Sequence, residues 1–202
     1  MSNEYLKCKT LGGGSPNGKP RVFFTCHPAD FERSFEKICA DIFAAQDCAI
    51  FYTPDMEYRI PQENMEVDIA AMNLVAIPVS LKLLLEPNRA MDVDFPYARE
   101  HGITVLPIMI ESGLAPVYAR SDKFGKRQHL DSVTTDPTAV PYKEKLKKFL
   151  HSVLVDDETA QRIRRAFDAY IFLSYRKKDR RFANELMRLI HKNPICRDIA
   201  IW

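Results

Sequence analysis

Apolar residues between positions 21 and 155 form two alternating kinds of run. Four short runs are almost wholly apolar and suit buried β-strands: residues 21–26, 48–52, 73–80 and 103–110. Elsewhere apolar residues recur at helical spacing on one face, as in 31–45 and 141–154. Strands without polar alternation are typical of a parallel sheet covered on both faces. The pattern therefore predicts an α/β domain over 21–155, with an open, doubly wound parallel sheet and helices on both faces.

Glycine, proline and capping residues set the expected boundaries. Residues 1–20 end in the glycine-rich stretch "LGGGSPNGKP" and are expected to form a flexible lead-in. Asp30 is placed to cap the helix over 31–45, and Pro78 marks the end of the third strand or a bulge. The weaker expected elements are a helix broken near Pro87 and resumed at 90–100, a short helix over 65–72, and a fifth strand near 128–133.

The segment "YIFLSYRKKD" (170–179) begins a second copy of the first β-α-β pattern. Residues 22–25 match 171–174, Asp30 matches Asp179, and each copy ends in a short apolar strand. We therefore expect 156–169 to form a connecting helix and 170–202 to be the first β-α-β part of a second domain, truncated from a longer protein. A complete appendage, packed on the first domain or exchanged between chains, is the open alternative.

Composition and charge narrow the function classes. A net charge of +2 argues against a nucleic-acid partner, and the basic run at 176–181 suits a solvated loop and helix start. The five cysteines show no CxxC spacing, which predicts free thiols in a reducing compartment and no metal site. The N-terminus lacks a signal-peptide core, and no window approaches 18 uncharged apolar residues. We expect a cytoplasmic protein with no membrane partner.

Several short motifs resemble those of Toll/interleukin-1 receptor (TIR) domains, both in sequence and in their order along the chain. "YIFLSYRKKD" resembles the opening strand and turn of the family, and "VFFTCHPAD" is a looser version of the same box. "NLVAIPVS" and "DFPYAREHGITVLPIMIE" resemble the boxes around the third and fourth strands. The resemblance spans about 21–154 and restarts at 170. It implies a flavodoxin-like fold in a bacterial-type TIR-like protein, with signal transduction and bacterial immunity as the setting.

The resemblance implies two modes of action. Many TIR domains are adaptors that self-associate through the BB loop, which here corresponds to about 53–64. In this mode Tyr58, Arg59 and Ile60 are the expected interface, the partners are other TIR-like domains, and no cofactor is required. A flavodoxin-like receiver or nucleotide-sensing domain is a further alternative.

The second mode is cleavage of NAD, as substrate, at the nicotinamide–ribose bond. Family enzymes place a Glu on the helix after the third strand, commonly within S-x5-S-x-W-C-x-x-E. Ser80 matches the first Ser; counting forward from it gives Asp92, and counting back from Ala98 gives Asp94. Either Asp would be the catalytic carboxylate, and the alternative is that both merely complement a helix N-terminus. Glu86 and Glu111 are fallback carboxylates.

The same mode implies which residues contact the ligand. Thr25 and Cys26 end the first predicted strand, His27 follows it, and Ser80 ends the third. These four are the expected ligand contacts. His27 has the ordinary alternative of being a loop residue.

Overall fold

A computed structural model of the chain describes residues 6–53, 69–121, 124, 128–154, 170–171, 179–192 and 200–201. The chain divides into two compact units, Met1–Val155 and Asp156–Trp202. The predicted interface residues Tyr58, Arg59 and Ile60 and the predicted connecting helix over 156–169 lie outside the described residues. Within 65–72, Ile69 and Ala70 are helical.

The first unit contains a six-stranded sheet in the order β1-β3-β2-β4-β5-β6. Strands β2 to β6 pair in parallel, and β1 pairs antiparallel with β3 at one edge. The strands are β1 (Lys7–Thr10), β2 (Arg21–Phe24), β3 (Ala49–Tyr52), β4 (Leu74–Val79), β5 (Thr104–Met109) and β6 (Leu130–Asp131). The predicted open, mostly parallel α/β sheet is therefore confirmed.

Helices cover both faces of this sheet, because apolar residues on the central strands β2 to β5 point alternately to two buried clusters. Helices α1 and α5 pack on one face, and α2, α3 and α4 pack on the other. The helices are α1 (Phe31–Ala45), α2 (Leu81–Leu85), α3 (Phe95–Glu100), α4 (Ala115–Arg120) and α5 (Tyr142–Val153). A π-helical turn, Ala90–Asp94, leads directly into α3, so the helix predicted to break near Pro87 does resume.

The structure adds an element that the hydrophobic pattern does not predict. Strand β1 lies within the segment expected to be a flexible lead-in, and its sequence KCKT carries no apolar run. Its backbone pairs with the edge of β3, from Lys7 opposite Tyr52 to Thr10 opposite Ala49. Strand pairing by a backbone ladder does not require an apolar sequence, so this strand has no hydrophobic signature.

The sequence predicted that Pro78 marks the end of the third strand or a bulge. In the structure Pro78 is the penultimate residue of β4, and it pairs with Ile108 of β5 without a bulge. The ladder between β2 and β4 ends at Phe24 opposite Ala76, and the Thr25 N–H then donates to the Ala76 carbonyl at 3.2 Å. Pro78, two residues further, has its nitrogen on the same side of the strand but past the end of that ladder. The missing N–H therefore costs no hydrogen bond within this sheet.

The second unit also contains a parallel β-α-β arrangement, as β2, α1 and β3 do in the first. Strands β7 (Tyr170–Ile171) and β8 (Ala200–Ile201) pair in parallel, and helix α6 (Arg180–Lys192) lies between them in sequence. Phe182, Leu186 and Leu189 on α6 are exposed. Among the described residues, no helix combines the length and the apolar character needed to cross a membrane.

Candidate functional site

Polar side chains accumulate at the carboxyl ends of the central strands. The chain leaves β2 towards β3 on one side of the sheet, and from β4 it continues to β5 on the other side, so the order reverses between β2 and β4. Ligands of open α/β sheets bind outside the strand ends at such a reversal. The buried polar residues that follow these two strands in the chain include Thr25, His27, Asp30, Ser80, Asn88, Arg89 and Asp94.

Asp94, one of the two predicted catalytic carboxylates, is buried in this region. Its side chain is 1% exposed, and its Oδ2 accepts a hydrogen bond of 2.7 Å from the Thr25 hydroxyl. The Arg89 guanidinium, 4% exposed, has its Nε 3.3 Å from Asp94 Oδ1. We call Thr25, Arg89 and Asp94 the Asp94 group. Burial raises the pKa of Asp94, and the Arg89 charge and the Thr25 hydrogen bond oppose that rise.

The Asp94 group is incompletely hydrogen-bonded. Arg89 Nε and Nη2 and Asp94 Oδ1 are buried but form no hydrogen bond within the part of the chain that the structure describes. The 3.3 Å contact is thus an ion pair without hydrogen-bond geometry. Buried polar atoms in folded proteins nearly always have partners, so these atoms are explained by strain, by a functional role or by an ordered water.

The π-helical turn explains why Arg89 and Asp94 meet. In an α-helix, residues five apart point in different directions, whereas a π turn closes i to i+5 hydrogen bonds. Here the Phe95 N–H donates to the Ala90 carbonyl, five residues earlier. This wider turn allows Arg89 and Asp94, also five apart, to approach each other. Arg89 was not predicted as a site residue because helical spacing of 3.6 residues does not pair it with Asp94.

A second cluster ties the ends of β2, β4 and β5 together. Asp30 is 1% exposed; its Oδ2 accepts from the Ser80 hydroxyl, and its Oδ1 accepts from Arg33 Nε at 2.9 Å. Asp30 does not cap α1 as predicted, because no side-chain cap hydrogen bond forms there. The Ser80 hydroxyl also accepts from the Leu83 N–H at 3.0 Å, which makes Ser80 the N-cap of α2.

Glu111 completes this cluster, two residues after β5. Its Oε2 accepts from the Leu81 N–H at 2.9 Å, and its Oε1 pairs with Arg33. We call Asp30, Arg33, Ser80 and Glu111 the Asp30 cluster. Partial burial alone would raise the pKa of Glu111, but the Leu81 N–H and the Arg33 guanidinium outweigh it and hold the pKa below its usual range.

His27 and Asn88 fix the backbone near these groups. His27 Nδ1 accepts from the Ala29 N–H at 3.2 Å, so a neutral ring carries its proton on Nε2, which lies 3.2 Å from Glu86 Oε2. The buried Asn88 amide donates to the carbonyls of Leu83 and Glu86 and accepts from the Met91 N–H. These contacts hold the 86–91 segment against the end of β2.

Two further predicted site residues, Asp92 and Cys26, contact other groups. Asp92 is exposed, and its Oδ2 accepts from the Asn88 N–H at 3.1 Å, which closes the local turn. Cys26 is 1% exposed and packs in the apolar cluster on the α1 side of the sheet. Burial raises the pKa of its thiol, so Cys26 stays a neutral core residue. The structure thus brings Thr25 to Asp94 and Ser80 to Asp30.

No protein-family model matches this chain, and no curated protein matches it. Among the described residues, no group of three or more His, Cys, Asp or Glu side chains is arranged to hold a metal ion.

Proposed function

We propose that this chain is a TIR-like signalling and protein-interaction module of the cytoplasm that acts by associating with other TIR-like domains. The observation that supports an interaction role over catalysis is the closure of Asp94. A carboxylate that is 1% exposed and already engaged by Thr25 and Arg89 has little room to approach a substrate. In this proposal Arg89 and Thr25 offset part of the cost of burying Asp94, and the group has a structural role.

The test of association uses the predicted BB loop. We expect the protein's light-scattering mass to rise with concentration, and the triple variant Tyr58→Ala/Arg59→Ala/Ile60→Ala to remain monomeric. The matched control is Val140→Ala, which truncates a half-exposed apolar residue elsewhere on the first unit. Loss of association in the control, or full association of the triple variant, would count against this interface.

The second candidate function is NAD cleavage at the nicotinamide–ribose bond, with Asp94 as the catalytic carboxylate. The unsatisfied atoms of the Asp94 group favour it, since buried charges with perturbed pKa values accumulate at functional sites. In this mechanism an ionised carboxylate stabilises the oxocarbenium-like ribose as nicotinamide leaves. Arg89 would keep Asp94 ionised, in opposition to the effect of burial.

Incubation with NAD separates the two candidates. The association role predicts no release of nicotinamide and ADP-ribose by the wild-type protein. The enzymatic role predicts release that Asp94→Asn abolishes, while Asp92→Asn leaves it within about twofold because Asp92 is exposed and engaged by a backbone N–H. Turnover lost in Asp92→Asn alone would transfer the catalytic role to Asp92.

A further inference from the structure

A proline lies inside the helical segment that carries the Asp94 group. The backbone is helical at Arg89, through the π turn Ala90–Asp94 and into α3, so these residues form one continuous helix. Asn88 caps its start, because its side chain accepts from the Met91 N–H at 3.0 Å. Pro96 is the second residue of α3, but it lies about two turns after that cap. It is therefore an interior residue of the longer helix.

An interior proline does not fit a regular α-helix. Its ring would meet the carbonyl four residues earlier, here that of Asp92, and it has no N–H to donate to that carbonyl. The residue before a proline also favours an extended backbone, yet Phe95 has φ of −67° and ψ of −47°. Burial holds Phe95 in place, since its side chain is 3% exposed and its ring centroid lies 4.9 Å from that of Phe124. The helix must therefore change around Pro96.

The π turn lies directly before Pro96 and is that change. The Asp92 N–H still bonds to the Asn88 carbonyl, four residues earlier, at 3.0 Å. The Phe95 N–H bonds to the Ala90 carbonyl, five residues earlier. The bonding pattern thus widens from α to π in the turn whose carbonyls the proline ring would otherwise crowd. Prolines and π turns are both recognised causes of helix distortion, and here they coincide.

A second proline in the same unit lacks this conflict. Pro116 is the second residue of α4, as Pro96 is of α3. Gly113, with φ of 77°, precedes α4, so no helical turn runs into Pro116. A proline in the first turn of a helix costs no hydrogen bond, because its N–H would have no helical partner there. α4 starts with ordinary α bonding: the Tyr118 N–H donates to the Leu114 carbonyl, four residues earlier, at 2.8 Å.

We propose that Pro96 is a positioning residue of the Asp94 group, because it sets the π turn that brings Arg89 to Asp94. In a regular α-helix, residues five apart lie about 140° apart around the axis, so Arg89 would point away from Asp94. Asp94 would remain beside Thr25, since the buried Phe95 anchors the start of α3. The proposal concerns how Asp94 acquires its counter-ion, and it is independent of both proposed functions.

The first test replaces the proline and follows the hydrogen bond of the π turn. In Pro96→Ala we expect the Phe95 N–H to bond to the Met91 carbonyl, four residues earlier. Couplings across the hydrogen bond identify the acceptor by NMR. Pro116→Ala is the matched control, and in it the Phe95 N–H keeps the Ala90 carbonyl as its acceptor. A folded Pro96→Ala variant that also keeps the Ala90 acceptor overturns the proposal.

The titration of Asp94 tests whether Pro96 acts through Arg89. Burial raises the pKa of Asp94, and the Arg89 charge opposes that rise. We therefore expect Pro96→Ala to raise the Asp94 pKa above that of wild type, as measured at the carboxyl carbon by NMR. In the double variant Pro96→Ala/Arg89→Met, the pKa should equal that of Arg89→Met alone. A wild-type pKa in Pro96→Ala, or a further rise in the double variant, overturns the proposal.

A deletion separates the effect of Pro96 from that of an extra residue, and it decides the question if Pro96→Ala does not fold. Removal of the exposed Asp92 shortens the turn by one residue. We expect Pro96 to keep the wider turn, so that the Phe95 N–H bonds to the Arg89 carbonyl, then five residues earlier. If an extra residue alone caused the π turn, the shortened helix would be regular and the Phe95 N–H would keep the Ala90 carbonyl. That second result overturns the proposal.

Discussion

The Asp94 group and the Asp30 cluster use the same chemistry at the same end of the sheet, with different results. Each joins an arginine, a buried aspartate and a hydroxyl. In the Asp30 cluster both oxygens of Asp30 and of Glu111 accept hydrogen bonds, and the Arg33 side chain is 46% exposed. In the Asp94 group the arginine is 4% exposed, and three buried polar atoms have no hydrogen bond among the described residues.

The difference shows how burial changes the role of an ion pair. Water reaches Arg33, so its charge is solvated even when a partner is lost, and the pair contributes modestly. Arg89 and Asp94 have lost that solvation, so the ionised form of Asp94 depends on Arg89 for compensation of its charge. The Asp30 cluster is therefore suited to joining strand ends. The Asp94 group is where the loss of one partner is expected to have the largest effect.

The largest expected effect comes from removing one arginine at a time. Arg89→Met leaves the Asp94 carboxylate buried without a counter-ion, and we expect it to lower the free energy of unfolding by about 3–5 kcal/mol. The matched change Arg33→Met also leaves a buried carboxylate, Asp30, with one hydroxyl donor, but Arg33 is half-exposed and its loss lets water reach Asp30, so we expect a loss of about 1–2 kcal/mol. Urea unfolding at pH 7, followed by circular dichroism, measures both. Equal losses would contradict the distinction between the two groups.

The next effect is the loss of a hydroxyl. Ser80→Ala removes both the N-cap of α2 and the hydrogen bond to Asp30, so we expect a loss of about 1–2 kcal/mol. Ser132→Ala is the control, because its hydroxyl donates to the Met109 carbonyl without capping a helix. We expect that control to lose less than about 1 kcal/mol. A control that loses as much as Ser80→Ala would mean that the double role of Ser80 adds nothing.

Glu111 carries a smaller effect with a defined pH dependence. Because its folded pKa is lower than its ordinary value of 4.5, its contribution is present above that pH and is lost as the pH falls through the folded pKa. We expect Glu111→Gln to cost about 1 kcal/mol at pH 7 and progressively less below pH 4.5. Unfolding free energies of both proteins between pH 3 and pH 7 measure this. A cost that stays constant over that range would contradict an ionised Glu111 held by Arg33 and Leu81.

The sheet was predictable because burial on both faces leaves a plain signature. The apolar runs at 21–26, 48–52, 73–80 and 103–110 each contain a central strand, and the helical face at 31–45 is the whole of α1. β1 was not predictable in this way, since its pairing is through the backbone and its side chains are not buried.

The site was predictable in part, for a similar reason. Strand ends fix the positions of Thr25 and Ser80, so sequence could locate them at the functional edge. Spacing alone could not choose between Asp92 and Asp94, because that choice depends on which one faces the sheet. Arg89 depends on a π turn, and Arg33 contacts Glu111 across 78 positions of sequence. Neither relation is expressed in local periodicity.

The smallest expected effect in size, but the most direct test of the comparison, is the pH dependence of Asp94→Asn. Burial raises the folded pKa of Asp94 above its ordinary value of 3.8, so the folded state holds this proton more tightly than the unfolded chain does. The contribution of wild-type Asp94 is therefore fully present below pH 3.8 and is lost as the pH rises through the folded pKa. Near pH 3 the protonated carboxyl and the amide are close isosteres, and we expect the unfolding free energies of the two proteins to differ by about 1 kcal/mol or less.

As the pH rises to 7, wild type should lose stability relative to Asp94→Asn, which is the opposite sign to that expected for Glu111→Gln. Unfolding free energies across this range, with Asp92→Asn as the exposed control, measure the difference. Parallel pH profiles for Asp94→Asn and Glu111→Gln would show that Arg89 and Thr25 more than offset the burial of Asp94, and the two groups would then behave alike.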